Sequence, residues 1–207
     1  MQVVFLVTWI GGDRMDYIAH RETPLGRITL ASDGERLTGL WFEDQKAYGS
    51  TLSEEWEERE VPVFTATDRW LDAYFALGQC EAAPPVALRG TVYRRRIWNM
   101  LLEIPQGSTV SYGALATLYT ERYGERTSAR AVGNAVGHNP ISLIIPCHRV
   151  TGSDGSMTGY AGGTARKEWL LRHEGIEVGC KRGRRGTEEN GQSCQSQDVL
   201  RTSCACT

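Results

Sequence analysis

The chain predicts an α/β unit followed by a mainly α unit, and three observations carry that prediction. Short apolar segments alternate with turn signals between residues 16 and 45. A proline pair, Pro84-Pro85, lies in the stretch Glu81 to Leu88 and reads as a linker. Beyond it the apolar spacing becomes helical, and two short serine-capped helices follow one another. The chain of 207 residues then divides into an N-terminal extension (1–14), an α/β domain with its linker (15–87), a helical domain (88–175) and a disordered tail (176–207).

In the first unit, Tyr17-Ile18-Ala19, Arg27 to Ala31 and Leu37 to Phe42 read as strands. Pro24-Leu25-Gly26 and Ser32-Asp33-Gly34 turn the chain between them, giving a small antiparallel meander. Glu54 to Glu60 is acidic and reads as a solvated segment. Asp68 to Leu77 places Trp70, Leu71, Tyr74, Phe75 and Leu77 at helical spacing, with Gly78 as the stop.

In the second unit, Val92, Ile97, Trp98, Leu101 and Leu102 form an apolar helix face that ends near Pro105-Gln106-Gly107. Ser108 or Ser111 caps a helix from Tyr112 to Tyr119, and a long charged loop runs from Thr120 to Thr127. Ser128 caps a second helix, Ala129 to His138, stopped by Asn139-Pro140. Two such helices are either a plain hairpin or a helix-turn-helix. Ala129, Ala131, Gly133, Ala135 and Gly137 make the second helix small-sided, which suggests close approach of a neighbouring helix or of a nucleic-acid backbone. Arg130 is the long cation among them. Ile141 to Ile145 reads as a buried strand or extended segment.

Charge is unevenly placed. Residues 1–87 hold 7 basic against 15 acidic side chains, whereas residues 88–174 hold 11 against 6. A basic half on an acidic partner is the pattern of a domain that meets phosphates. Of six cysteines, four fall in the last 28 residues, and none stands at zinc-ligand spacing, so no metal site and no disulfide framework is expected. That usage points to a reducing compartment. Met1 to Ile10 is apolar but too short to span a bilayer and lacks a leader's pattern. Met15 is a candidate start.

The chemistry centres on Ile144-Ile145-Pro146-Cys147-His148-Arg149-Val150. A free thiol has a pKa of about 8.5, and a histidine can take its proton to make a nucleophile. Alone, Cys147 would read as a small buried hydrophobe. Its context is specific: Asn139-Pro140 stands upstream, and Tyr160-Ala161-Gly162-Gly163 and His173-Glu174-Gly175 follow.

In this order the motifs resemble the O6-alkylguanine-DNA alkyltransferases, strongly over Val92 to Gly175 and weakly back to Met15. The resemblance implies a ribonuclease H-like α/β unit and a C-terminal, winged-helix-like DNA-binding and alkyl-acceptor unit with a helix-turn-helix. It implies an irreversible, single-turnover transfer of an alkyl group from guanine O6, and possibly thymine O4, to Cys147. His148 would activate the thiol through a water, Glu174 would hold the imidazole, and Asn139 would brace the turn. The target base must leave the stack. Arg130 would fill its place and Tyr112 would contact it, while Ala129, Ala131 and Gly133 would lie along the minor groove. Val150, Tyr160, Ala161 and Gly162 would wall the base pocket, with Tyr160 and Gly162-Gly163 as its flexible side. The partner implied is double-stranded DNA with little sequence preference, bound by a monomer without a cofactor, in the cytoplasm or wherever DNA lies. Ala161 stands where some members carry serine.

Three other readings have weaker support. A lesion sensor of the alkyltransferase-like kind would lack Cys147. A turnover Cys-His hydrolase would need an oxyanion hole, for which there is no signal. A transcriptional regulator of the adaptive-response kind would carry a cysteine-rich zinc segment, and His20 has no neighbouring cysteines.

Overall fold

β1 (Met15–Arg21), β2 (Ile28–Ser32) and β3 (Leu37–Phe42) form where the apolar segments predict them. This computed structural model describes residues 15–77, 82–157 and 159–178. The expected extension (1–14), the tail beyond Val178 and the stop at Gly78 lie outside the described residues, as do all the cysteines except Cys147.

The meander holds for β1–β3, with His20 opposite Thr29 and Leu30 opposite Leu40. The sheet as a whole is mixed rather than antiparallel. β4 (Glu55–Glu58) pairs in parallel with β1, giving the order β3-β2-β1-β4. The segment read as merely solvated is therefore an edge strand, and all four of its residues are exposed. An edge strand needs one neighbour for its backbone and buries nothing here, so no apolar alternation marks it.

α1 (Pro62–Leu77) starts at Pro62 rather than Asp68. Proline loses no hydrogen bond at a first helical position. Val63, Phe64 and Thr67 are buried and extend the inward face towards that end.

The linker is pinned to the sheet. The Leu37 N–H donates to the Pro85 carbonyl and the Ala87 N–H to the Leu37 carbonyl, both at 2.8 Å. Further along the same edge of β3, Leu40 N–H donates to Pro140 O and Ser142 N–H to Leu40 O, both at 2.9 Å. The N-terminal sheet thus steadies the segment that leads to Cys147. That segment is not a strand. Only Ile141 bridges to Leu40, and the chain then turns through Leu143 at φ +69°.

α2 (Val92–Leu102) buries Ile97, Trp98, Met100 and Leu101. Val92 and Leu102, expected in that face, flank it and are 55% and 43% exposed. α3 (Tyr112–Tyr123) is capped by Ser111, whose hydroxyl accepts from the Ala114 N–H at 3.1 Å. It runs one turn beyond the expected end because Tyr119 and Tyr123 pack together, 4.8 Å between ring centroids, and Arg96 lies over Tyr123. The first half of the expected 120–127 loop is therefore helix, closed by Gly124 in the left-handed region at φ +70°. α4 (Ala129–Gly137) has Ser128 as its cap and ends one residue short of His138. β5 (Val110–Ser111) pairs in parallel with β6 (Val150–Thr151), and α5 (Thr164–His173) closes the described chain.

One apolar core runs through both units, from Leu30, Leu40 and Phe64 to Trp98, Val132 and Ile145. Among the described residues no helix is long and apolar enough to cross a membrane.

Candidate active site

Pro146 delivers the chain into a short 3-10 turn, Cys147–Arg149, whose three side chains are all buried. The turn is held from below by Asn139. Its Oδ1 accepts from the Ile141 N–H at 3.0 Å, and its Nδ2 reaches Ile145 O at 2.9 Å and Cys147 Sγ at 3.0 Å. Burial pushes the Cys147 thiol up to about 11, against the opposing pull of Asn139 and of the Lys167 ammonium. At neutral pH the thiol is therefore protonated, and its use as a nucleophile requires a base.

His148 lies fully buried beside it. Nε2 is committed to Glu174 Oε1 at 2.7 Å, and Nδ1 has no hydrogen-bond partner among the described residues. Burial lowers the pKa of the imidazole, with Glu174 opposing, so the ring is neutral at pH 7. Glu174 itself is crowded with donors. Arg149 Nε gives 2.8 Å to Oε2, Arg149 Nη2 gives 3.0 Å to Oε1, and the Tyr74 hydroxyl gives 2.9 Å to Oε1. Burial would raise this carboxyl, but the hydrogen bonds from His148 and Arg149 outweigh it and hold it at about 2.

Tyr112 opens α3 immediately after the β5–β6 pair, which ties its position to the strand leaving the Cys147 turn. Burial, with Cys147 adding to it, pushes its phenol up to about 12, so it remains a hydrogen-bond donor. Gly159 lets it sit there: φ is +86°, and an added Cβ would lie 2.8 Å from the Tyr112 hydroxyl. Tyr160 and Ala161 are buried, and the Tyr160 ring stands edge-on to His148 at 6.4 Å. The expected flexible wall is tethered to the first unit. Lys46 N–H donates to Ala161 O, and Arg166 bonds Gly162 O, Leu25 O and Asp44. Val150 is buried, and its carbonyl accepts from the Lys167 ammonium.

On α4, Val132, Ala135 and Val136 pack inward, leaving Ala129 and Arg130 exposed and Ala131 and Gly133 partly exposed. Ala135 is buried in the core, where Trp98 Nε1 donates to its carbonyl, but the two glycines have room for a side-chain carbon. A Cβ at Gly133 would be 3.7 Å from the Tyr112 ring and one at Gly137 3.8 Å from Gly159 O, which is ordinary contact. Arg94, Arg95, Arg126 and Arg130 make no ion pair among the described residues. Arg89, Arg96, Arg122, Arg149, Arg166 and Arg172 are each paired to a carboxylate.

The structure therefore brings together two buried hydrogen-bonded pairs, Asn139 with Cys147 and His148 with Glu174, joined through the 3-10 turn, and places Tyr112, Tyr160, Val150 and Ala161 around them. Lys167 and Tyr74 belong to the same neighbourhood and were not singled out from sequence. Lys167 is fully buried 5.9 Å from the Tyr112 ring centre, and burial draws its ammonium down to about 8. A lysine at helical spacing reads as surface, and Tyr74 is 100 positions from Glu174.

Fold and site define a two-unit protein in which a buried Cys, His and Glu set lies close to a pair of capped helices. Residues 17–80 match the ribonuclease-like domain of 6-O-methylguanine DNA methyltransferase, and residues 92–176 match its DNA-binding domain. The chain belongs to the 6-O-methylguanine DNA methyltransferase family. It is 56% identical to the methylated-DNA–protein-cysteine methyltransferase of Shigella flexneri, over 74% of this chain and 92% of that protein. The Mycobacterium tuberculosis protein of the same name is 43% identical over 74% of this chain and 88% of its own length. The crystal structure of Mycobacterium tuberculosis OGT in complex with DNA superposes with a TM-score of 0.66 at 40% identity, covering 76% of this chain and 92% of that one.

Proposed function

We propose that this chain repairs DNA by moving an alkyl group from O6 of guanine onto Cys147, once per molecule. The observation that carries the reading is the pair of buried hydrogen bonds Asn139–Cys147 and His148–Glu174, brought side by side by the 3-10 turn that holds Cys147 and His148. His148 takes the thiol proton through Nδ1, the ring nitrogen not engaged by Glu174, by way of a water. The thiolate attacks the alkyl carbon in line. A C–S bond forms, the C–O6 bond breaks, and the electron pair leaves with guanine. Tyr112 meets that charge with a hydrogen bond to N3. The product thioether is not hydrolysed, so the protein is consumed. Asn139 remains the brace of the turn, and Tyr160, Val150, Ala161 and Gly162 wall the base.

Double-stranded DNA is the partner, approached in the minor groove by α4 through Ala129, Arg130, Ala131 and Gly133. Arg94, Arg95 and Arg126 have no carboxylate partner among the described residues and suit phosphates, which makes binding salt-sensitive and nearly indifferent to sequence. The protein acts as a monomer, in the cytoplasm or wherever DNA lies. No cofactor is required by this chemistry. The second unit begins near residue 88, after the stretch pinned on β3.

Titration of the protein with duplex DNA carrying O6-methylguanine tests this reading. Repair should stop at one lesion per chain, and continued turnover would contradict it. Arg130→Ala should slow repair in duplex DNA by about tenfold or more while leaving reaction with free O6-benzylguanine nearly unchanged, because only the duplex requires a flipped base. Equal loss on both substrates would remove Arg130 from that role.

The pH dependence has a defined sign. His148 is lowered from its ordinary 6.5, so the neutral base survives below that pH. The single-turnover rate constant should therefore hold as pH drops through 6.5 and decline only at lower pH. A rate already falling at pH 7 would contradict a buried, neutral His148.

A further inference from the structure

α1 belongs to the first unit and lies far in sequence from Cys147, yet it reaches the catalytic carboxylate. Tyr74 is fully buried at its inward face and donates its hydroxyl to Glu174 Oε1 at 2.9 Å. The same residue's backbone carbonyl accepts from His173 Nε2 at 2.7 Å. One residue of α1 thus holds two successive residues at the end of α5. The Tyr74 ring is fixed in turn, stacked on Trp70 at 5.3 Å and edge-on to Phe75 at 5.4 Å and to His173 at 5.4 Å.

We propose that Tyr74 is a positioning residue for alkyl transfer, through which the N-terminal unit sets the place and basicity of Glu174 and so of His148. The inference rests on the Cys147–His148–Glu174 reading. Oε1 receives three donors: His148, Arg149 and Tyr74. Each donor to a carboxylate draws on the negative charge that His148 feels. Tyr74 therefore does two things. It fixes the carboxylate oxygen that orients the imidazole, and it moderates how strongly that oxygen favours imidazolium. The groups facing this set are Cys147, His148 and Arg149 on the 3-10 turn, Lys167 and His173 on α5, Tyr160 on the 159–163 loop, and Tyr74 on α1. The Tyr74 phenol is itself held far above its ordinary pKa by burial and by Glu174, and it stays a donor throughout.

Tyr74→Phe keeps the ring and removes only the hydroxyl. Phe75→Leu is the control, since Phe75 packs on Tyr74, Trp169 and His173 without a bond to Glu174. The single-turnover rate of Cys147 alkylation by O6-benzylguanine would be followed against pH for the full-length wild type and both variants. For Tyr74→Phe the plateau rate should fall about three- to tenfold. Its acid limb should move to higher pH, because Glu174 with one donor fewer stabilises imidazolium more. Phe75→Leu should leave the limb where it is. A Tyr74→Phe profile matching wild type, or the same displacement in Phe75→Leu, overturns the positioning role while leaving the relay intact. Failure of the wild type to alkylate at Cys147 overturns both.

Discussion

Cys147→Ala is expected to abolish alkyl transfer completely while DNA affinity stays within about twofold of wild type. The thiol is the only acceptor in the proposed chemistry, and no neighbouring group replaces it, because His148 is bonded to Glu174 and Asn139 to main-chain carbonyls. The fold should survive. Asn139 loses Sγ but keeps Ile145 O and the Ile141 N–H, so the turn retains its main supports. The residues of α4 proposed to meet DNA make no hydrogen bond to the thiol among the described residues, where Asn139 is its partner. Assay by gel shift and by transfer from O6-methylguanine duplex would check both halves. Residual transfer in this variant would remove Cys147 as the acceptor.

Glu174→Gln carries the second largest effect, on rate and on stability together. The amide cannot balance the Arg149 guanidinium, and breaking a buried ion pair in this way costs about 3–5 kcal/mol. Its NH2 can also face His148 Nε2, which forces the proton onto Nδ1 and blocks the nitrogen that must accept from the thiol. By comparison with triads in which the orienting carboxylate is converted to an amide, the rate should drop on the order of a thousandfold or more. The linked pH effect has a clear sign. A carboxyl held at about 2 against an ordinary 4.5 contributes stability that is present above 4.5 and lost as pH falls towards 2. Wild type should lose melting temperature across that window, and Glu174→Gln should lose less. A wild-type rate in the variant, or an identical acid-melting slope, would contradict the assigned role.

Much of the site was legible because its residues lie in contiguous strings. Pro146-Cys147-His148 and His173-Glu174-Gly175, in this order after Asn139-Pro140, carry the family resemblance from which the roles proposed for Cys147, His148 and Glu174 come. Ser128 is legible as a cap, and Ser111 as one of two candidates beside Ser108, because a hydroxyl before an amphipathic run has one clear use. Hidden features fall into two physical classes. β4 satisfies its backbone at a sheet edge with Glu55, Trp56, Glu57 and Glu58 all in solvent, so side-chain pattern carries no signal. Lys167 and Tyr74 take their meaning from partners far away in sequence. The first is a buried ammonium on the Val150 carbonyl, the second a phenol on Glu174. The end of α3 misled for a related reason: Glu121 and Arg122 resemble loop residues, and what keeps them helical is the packing of Tyr119 and Tyr123 against Tyr93 and Arg96.

The most direct test of alkyl transfer to Cys147 is the intact mass of the protein after reaction with O6-benzylguanine, followed by peptide mapping. A gain of a single benzyl group, located on Cys147 and not exceeded with excess reagent, is the predicted result. An adduct on another residue, or a reaction that releases guanine continuously without modifying the protein, would contradict it.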